Sequence, residues 1–259
     1  MTLKKVSAPN AQSKVGPTPR PAATRLPTHI GNLDEALGGG LPAGYVVVLE
    51  GAPGTMKSSF GFWIAAHNCA TDGRRALYIA CEENTASLLR QMEALGMDLD
   101  AAAKGVKILD PSVLRKVLKP DKTGDWLPAL QATVEGVQKE AGLDFLVIDS
   151  LDGLEVLAKF TDRRQALFRL FEWLRDLGLT TFVIAERPDY VIQGHILQGR
   201  YDENFLADGV LSLRLHPISD QEVQRRIRIV KMRGTRHETA YLAIHVGDGN
   251  LQVGRLLST

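Results

Sequence analysis

Short apolar runs rich in β-branched residues alternate along this chain with longer stretches in which apolar positions return every three or four residues. That rhythm predicts an α/β fold, with a mainly parallel, twisted sheet flanked by helices on both faces. Strands are expected at 45–50, 76–81, 106–109, 145–149 and 181–185; three are nearly all apolar, as strands buried on both faces require. Helices are expected at 57–70, 85–95, 127–140 and 162–177. The last sets Leu167, Leu170, Phe171, Leu174 and Leu177 on one side of a polar stretch. After about residue 208 the period shortens to two: Leu211, Leu213 and Leu215 share one side, and Ile227 and Ile229 alternate with Arg226 and Arg228. With 241–246 and a short final run, this predicts a C-terminal antiparallel extension turning at HPISDQE and VGDGN. Residues 187–207 fit neither period and read as a long connection, of a kind that tends to carry function or to move.

A chain of 259 residues suffices for one sizeable core. Its charge is unevenly spread: Lys4, Lys5, Lys14, Arg20 and Arg25 lie in 1–27, which holds no acid, and setting those five aside leaves 26 of the 31 basic residues against 30 acids. The expected domain, 28–259, is therefore about −4, which argues against a strongly basic nucleic-acid surface. Residues 1–27, rich in Pro, Ala, Ser and Thr, read as a flexible basic arm with too little apolar surface to offset the entropy of ordering. Such an arm serves either to dock on a partner or as a leader with no specific role. No apolar run reaches the roughly 18 to 20 residues that cross a bilayer, and the N-terminus lacks the apolar stretch of a secretion signal. Membrane insertion is not expected, and a cytoplasmic location is. Cys69 and Cys81 are too few for a disulfide framework and are expected to be buried. Trp63, Trp126 and Trp173 are expected to pack within helices, and His29, His67, His195, His216 and His245 show no metal-ligand spacing.

Chemistry concentrates in VVVLEGAPGTMKSSF, residues 46–60. Gly51, Ala52, Pro53, Gly54, Thr55, Met56, Lys57, Ser58 and Ser59 follow G-x-x-x-x-G-K-[ST] except that Met56 stands in place of the second glycine. The motif lies between an expected strand and an expected helix, the context that separates a phosphate-binding loop from a glycine-rich turn. Successive backbone N–H groups and a helix N-terminus would cradle phosphates, Lys57 would reach the terminal phosphates, and Ser58 would offer its hydroxyl to Mg²⁺. A side chain at position 56 costs of order 1 to 3 kcal/mol if the loop keeps a glycine conformation. Charge-assisted hydrogen bonds to a bound nucleotide are worth roughly 1.5 to 3 kcal/mol each, so binding is expected to survive. Turnover is the more sensitive quantity, since chemistry depends on finer placement. FLVIDS carries Asp149 to the carboxyl end of a strand, where it can hold Mg²⁺ through water or through Ser58. Glu82 and Glu83 follow the second strand, and adjacent strand residues point oppositely. At most one of them therefore faces the γ-phosphate as base for the attacking water; the alternative is that one or both open the next helix, where acids suit the dipole.

Taken in order, THIGNLDEALGGGLPAGYVVVLEGAPGTMKSS, ALYIACEEN, FLVIDSLDGL, LADGVLSL and RRIRIVKMRGTRHE resemble the KaiC group of RecA-like P-loop ATPases, from about Leu26 to Val253. The resemblance is to one KaiC-type domain, where the cyanobacterial clock protein carries two in tandem. It implies a RecA-type sheet, ATP with Mg²⁺, and self-assembly into a ring or filament, commonly a hexamer, with nucleotide between neighbouring subunits. It also implies that the paired glutamates, here Glu82 and Glu83, include the catalytic base. The K-x-R-G-x-x-H segment, here Lys231, Arg233 and His237, would reach the neighbour's phosphates, where a cation supplied in trans neutralises charge developing on the γ-phosphate. The plainer reading of RRIRIVKMR is a solvated face of an edge strand. Met56 for glycine and Ser58 for threonine are the departures from the family pattern.

Three functions compete on this reading. The first is an ATP-binding and ATP-hydrolysing oligomeric switch read by an unidentified partner protein, with autokinase activity possible but no acceptor singled out. The second is a scaffold that uses bound ATP only to hold subunits together, with Met56 as its motive. The third is a recombinase-like DNA-binding ATPase using loops at 150–161 and 186–207. These mix Lys159, Arg187 and Arg200 with Asp152, Glu155, Asp189, Asp202 and Glu203 and form no clear phosphate-tracking groove, so DNA is the least favoured partner.

Overall fold

The computed structural model describes residues 24–100, 104–118, 125–187, 191–192, 195–196, 202–247 and 249–256. Most of the arm and much of the 187–207 connection therefore lie outside the described residues, although Arg25–Leu26 (β1) pairs with Leu41–Pro42 (β2). The core is one sheet assembled from Val46–Gly51 (β3), Ala76–Ala80 (β4), Val106–Leu109 (β5), Phe145–Asp149 (β6), Thr180–Glu186 (β7), Gly209–Pro217 (β10), Val223–Met232 (β11), Leu242–Gly247 (β12) and Asn250–Arg255 (β13). Val191–Ile192 (β8) and His195–Ile196 (β9) form a separate two-stranded pair. Across the large sheet the order is β13-β12-β11-β10-β3-β7-β6-β4-β5. The five strands expected from apolar runs are all present within a residue or two at each end. They are parallel to one another, and the strands from β11 onward continue the sheet antiparallel.

Two apolar layers sandwich this sheet. One face packs on Lys57–Asp72, a helix buried nearly all round through Phe60, Phe62, Trp63, Ile64, Ala65 and Ala66. The other packs on Leu127–Ala141, Leu151–Ala158 and Arg163–Leu177. Helix limits follow local chemistry. Asn84, Asp110, Ser150 and Asp162 each accept backbone N–H groups at an N-terminus, and Gly73, Gly142 and Gly178 close C-termini in the left-handed conformation. Trp63, Trp126, Trp173, Cys69 and Cys81 are buried, and burial pushes the Cys69 thiol up to about 11 and Cys81 higher still. No described helix is long and apolar enough to cross a membrane.

Three expectations need correction. Residues 150–161 are largely the helix Leu151–Ala158, not a loop. A Cβ at Gly153 would stand 2.8 Å from both Cys81 Cβ and Glu82 Cγ, so the glycine that argues against a helix is what lets this helix approach the end of β4. Pro111–Val117 is a further helix, capped by Asp110 with proline in its first turn. In β10, the shared buried side ends early. Gly209–Leu213 pair with β3 and are buried on both faces, whereas Leu215 lies beyond the partner strand and is exposed.

Candidate functional site

The phosphate loop joins the carboxyl end of β3 to the helix Lys57–Asp72. Pro53 and Gly54 are exposed, whereas Thr55 is buried with its hydroxyl on Ala52 O at 2.7 Å, which ties the loop across its own base. Lys57 is buried and folds back, its Nζ donating to Ala52 O at 3.1 Å. Its pKa is lowered by burial, against the opposing pull of Glu186, Asp149, Asp152 and Glu82. One lysine therefore faces four carboxylates at the sheet edge where open α/β sheets take ligands.

Three of those carboxylates are held by neighbours. Asp149 accepts hydrogen bonds from the Tyr78 and Ser58 hydroxyls, and its carboxyl is nonetheless pushed up by burial, with Glu82 and Glu83 adding to the rise. Asp152 accepts the Glu186 N–H at 2.8 Å. Glu82 accepts the Ser150 hydroxyl, which itself accepts the Gly153 N–H at 3.0 Å. Glu83 instead takes Gln91 Nε2 at 2.6 Å on the following helix. The pair thus divides: Glu82 joins the cluster around Lys57, and Glu83 is turned toward the helix Thr85–Ala94. Sequence reasoning placed Lys57, Ser58, Asp149 and the Glu82/Glu83 pair here and missed Tyr78, Ser150, Asp152, Glu186 and Arg225. Arg225 on β11 donates its Nε to Gly54 O at 3.2 Å. The prior signals were that Ser150, Asp152 and Glu186 follow strands expected to end at this edge and that Arg225 opens the segment RRIRIVKMRGTRHE.

Met56 takes the backbone its position demands, φ 77° and ψ 25°, and precedes the helix without a side-chain cap. Its side chain packs partly buried on the core layer beneath the helix. Strain of about 1–2 kcal/mol for a left-handed residue with a Cβ is therefore set against apolar contact, where a fully buried Met would gain about 1.5–3 kcal/mol. Met56→Ala keeps the strain and loses the contact. It is expected to unfold at lower urea than either the wild type or Met56→Gly, with Met56→Gly about 1 kcal/mol the more stable of the two variants. Equal midpoints for the Ala and Gly variants would show that the loop does not hold this conformation in solution.

Lys231, Arg233 and His237 are not at this edge. Lys231 pairs with Val210, which pairs with Val48; Met232 pairs with Gly209, which pairs with Val47. Asp208, which accepts the Val46 N–H, accepts Arg233 Nη1 at 2.9 Å. Arg233 thus stands beside the amino end of β3, and Lys231 beside its middle. Along that six-residue strand, Arg233 stands roughly 17 Å and Lys231 about 10 Å from the Gly51 end, at ~3.3 Å per residue. His237 lines a cavity of 740 Å³ with Asn32, Glu35, Glu238 and Arg255.

The residues present fit a magnesium nucleotide. Burial raises the pKa of Asp149, a carboxylate hydrogen-bonded by the Ser58 hydroxyl, and a divalent cation would relieve that cost. Among the described residues no three His, Cys, Asp or Glu are grouped to hold a metal alone. Mg²⁺ held by one or two protein oxygens plus phosphates needs no such group.

Comparison with known proteins gives the family and the fold. The family profile described as "ATPase: KaiC" matches residues 26–258. The chain is 27% identical over 231 residues to the circadian clock protein KaiC2 of Synechocystis, covering 88% of this chain and 40% of that one. It is 28% identical over 244 residues to a UPF0273 protein of Aeropyrum pernix, covering 88% of this chain and 93% of that one. Against the crystal structure of the KaiC-like protein PH0186 from Pyrococcus horikoshii OT3 it has a TM-score of 0.74 at 26% identity, covering 90% of this chain and all of the other. The chain spans 40% to 48% of the length of the clock proteins it matches.

Proposed function

The chain belongs to the KaiC family of ATPases, and from that premise we propose that it hydrolyses ATP slowly, as an oligomeric switch whose nucleotide state a partner protein reads. ATP binding follows from the family. The observation that carries hydrolysis is the convergence of Lys57, Ser58, Asp149 and Glu82 at one sheet edge, with Glu82 already oriented by the Ser150 hydroxyl.

On this reading the loop amides and the helix N-terminus bind the phosphates, and Lys57 exchanges Ala52 O for their oxygens. Mg²⁺, held through Ser58 and Asp149, would neutralise phosphate charge. Glu82 accepts a proton from the attacking water as its oxygen bonds to the γ-phosphorus and the bond to the leaving ADP oxygen breaks. Arg233, with Lys231 and His237 beside it, comes from a neighbouring copy. Self-association supplies this, because each chain holds Arg233 on Asp208 beside Val46, at the end of β3 away from its own loop. Such a head-to-tail contact closes into a ring when its rotation permits, and a hexamer is the ring proposed. The cytoplasm, where ATP and Mg²⁺ are plentiful, is the proposed location.

The test is steady-state phosphate release from the purified protein with Mg-ATP, with oligomer mass recorded with and without nucleotide. Turnover that falls in Lys57→Ala supports the proposal. Assembly on ATP without turnover favours the scaffold reading, which the left-handed Met56 recommends. Recovery of turnover in Met56→Gly would then place the block in the loop.

A further inference from the structure

The short helix Asp202–Leu206 carries a buried carboxylate that the mechanism above does not use. Glu203 is fully buried, and its two oxygens go to different arginines: Oε1 to Arg187 and Oε2 to Arg163 Nη1 at 3.1 Å. Arg163 also bonds Glu155 at 2.8 Å, and Arg187 pairs with Glu50 at 3.3 Å. Glu50 accepts Asn204 Nδ2 at 2.8 Å and directly precedes Gly51 of the phosphate loop. Two ties therefore lash this helix to the carboxyl ends of β3 and β7.

The other end of the same helix holds Lys231 of β11 and Arg233, which follows that strand. Lys231 Nζ donates to the carbonyls of Asn204, Phe205 and Ala207 at 3.0, 3.3 and 2.6 Å, which uses all three of its protons. Arg233 donates Nη1 to Asp208 and Nη2 to Phe205 O at 3.1 Å, yet its side chain remains half exposed. A guanidinium has five donors, so these two bonds fix its orientation and leave others to face outward.

We infer that Glu203 and Lys231 are positioning residues which, through the helix Asp202–Leu206, seat Arg233 for delivery to a neighbouring copy. Lys231 clamps the seat, and Arg233 is the cation presented. The inference rests on the proposed role of Arg233 in trans and deepens it. A buried carboxylate with two arginine partners is costly to disturb, which makes it an anchor for a seat that must not drift.

The test is a double-mutant cycle. Glu203→Gln and Lys231→Met are each expected to lower kcat about tenfold with the Kd for a fluorescent ATP analogue unchanged. Glu203→Asp should recover part of the loss, and combination with Arg233→Ala should lose no more than Arg233→Ala alone. Losses that multiply, or a Kd that weakens in parallel with kcat, overturn the inference. If Arg233→Ala by itself leaves turnover intact, the reading of Arg233 fails, and that variant alone shows it. A readout free of turnover is hydrogen exchange in the nucleotide-free protein: amides 203–208 should exchange at least tenfold faster in Glu203→Gln and Lys231→Met alike, with the phosphate loop unchanged. Unaltered exchange in Lys231→Met overturns the seat whether or not the protein turns over. Where Glu203→Gln does not fold, Arg163→Gln removes one of its two partners at a position whose side chain is 35% exposed and enters the same cycle.

Discussion

Glu82→Gln is expected to lower ATP turnover by 10²- to 10⁴-fold, the range for losing a positioned general base. Glu83→Gln should lower it by less than tenfold. In free-energy terms the first loss is about 3 to 5 kcal/mol of transition-state stabilisation. The asymmetry follows from hydrogen bonding, since Glu82 is oriented by Ser150 within the Lys57 cluster and Glu83 is spent on Gln91. Nucleotide affinity should hold in both variants, because neither carboxylate binds phosphate. The measurement is phosphate release under saturating Mg-ATP, with affinity from equilibrium titration. Equal losses in the two variants would show that the bound state turns Glu83 inward as well. Ser150→Ala extends the argument: it leaves the carboxylate in place but unoriented and should cost about tenfold, less than removing the base itself.

That division between two adjacent glutamates was not legible in the sequence. Strand alternation says that two neighbours diverge, but which one faces the site depends on Ser150 and Gln91, whose placement is set by tertiary contact. The phosphate loop was legible because its chemistry is local: a buried strand, a loop short enough to form a nest, and a helix start lie within 46–60. Asp149 was legible for the same reason, as the polar end of an apolar run. Even the strain at Met56 could be anticipated, because it belongs to backbone geometry at one position. Its compensation by packing could not, since the core layer under Met56 is built from residues distant in sequence. The same limit hid the helix Leu151–Ala158, whose close approach to Cys81 and Glu82 depends on Gly153. It also hid the Glu203 anchor, which joins residues 187 and 203, from a stretch with no period to read, to residues 50, 155 and 163 on distant elements.

Arg233→Ala is expected to lower turnover by about 10³-fold or more, as loss of a cation supplied to a phosphoryl-transfer site does. ATP should still bind, since the loop, Lys57 and Ser58 are untouched. A loss of this size does not by itself say which subunit's site Arg233 serves; mixing does. Lys57→Ala protein has a dead loop and an intact Arg233, and Arg233→Ala protein has the reverse. If Arg233 acted within its own chain, every site in a mixture would lack one element and the mixture would stay inactive. Acting across an interface, random mixing at equal amounts completes about a quarter of the sites, so turnover should return to roughly a quarter of the wild-type level. Geometry favours the second outcome, because Asp208 holds Arg233 beside Val46 while the phosphate loop begins beyond Gly51, at the far end of the same strand. A mixture of preassembled oligomers that cannot exchange subunits would stay inactive for a trivial reason, so the two variants are mixed before nucleotide is added and exchange is confirmed by mass. Continued silence after confirmed exchange would place Arg233 outside the reaction. The alternation of RRIRIVKMR would then mark only the solvated face of β11, which lies between β10 and β12 and is not the edge strand expected from the sequence.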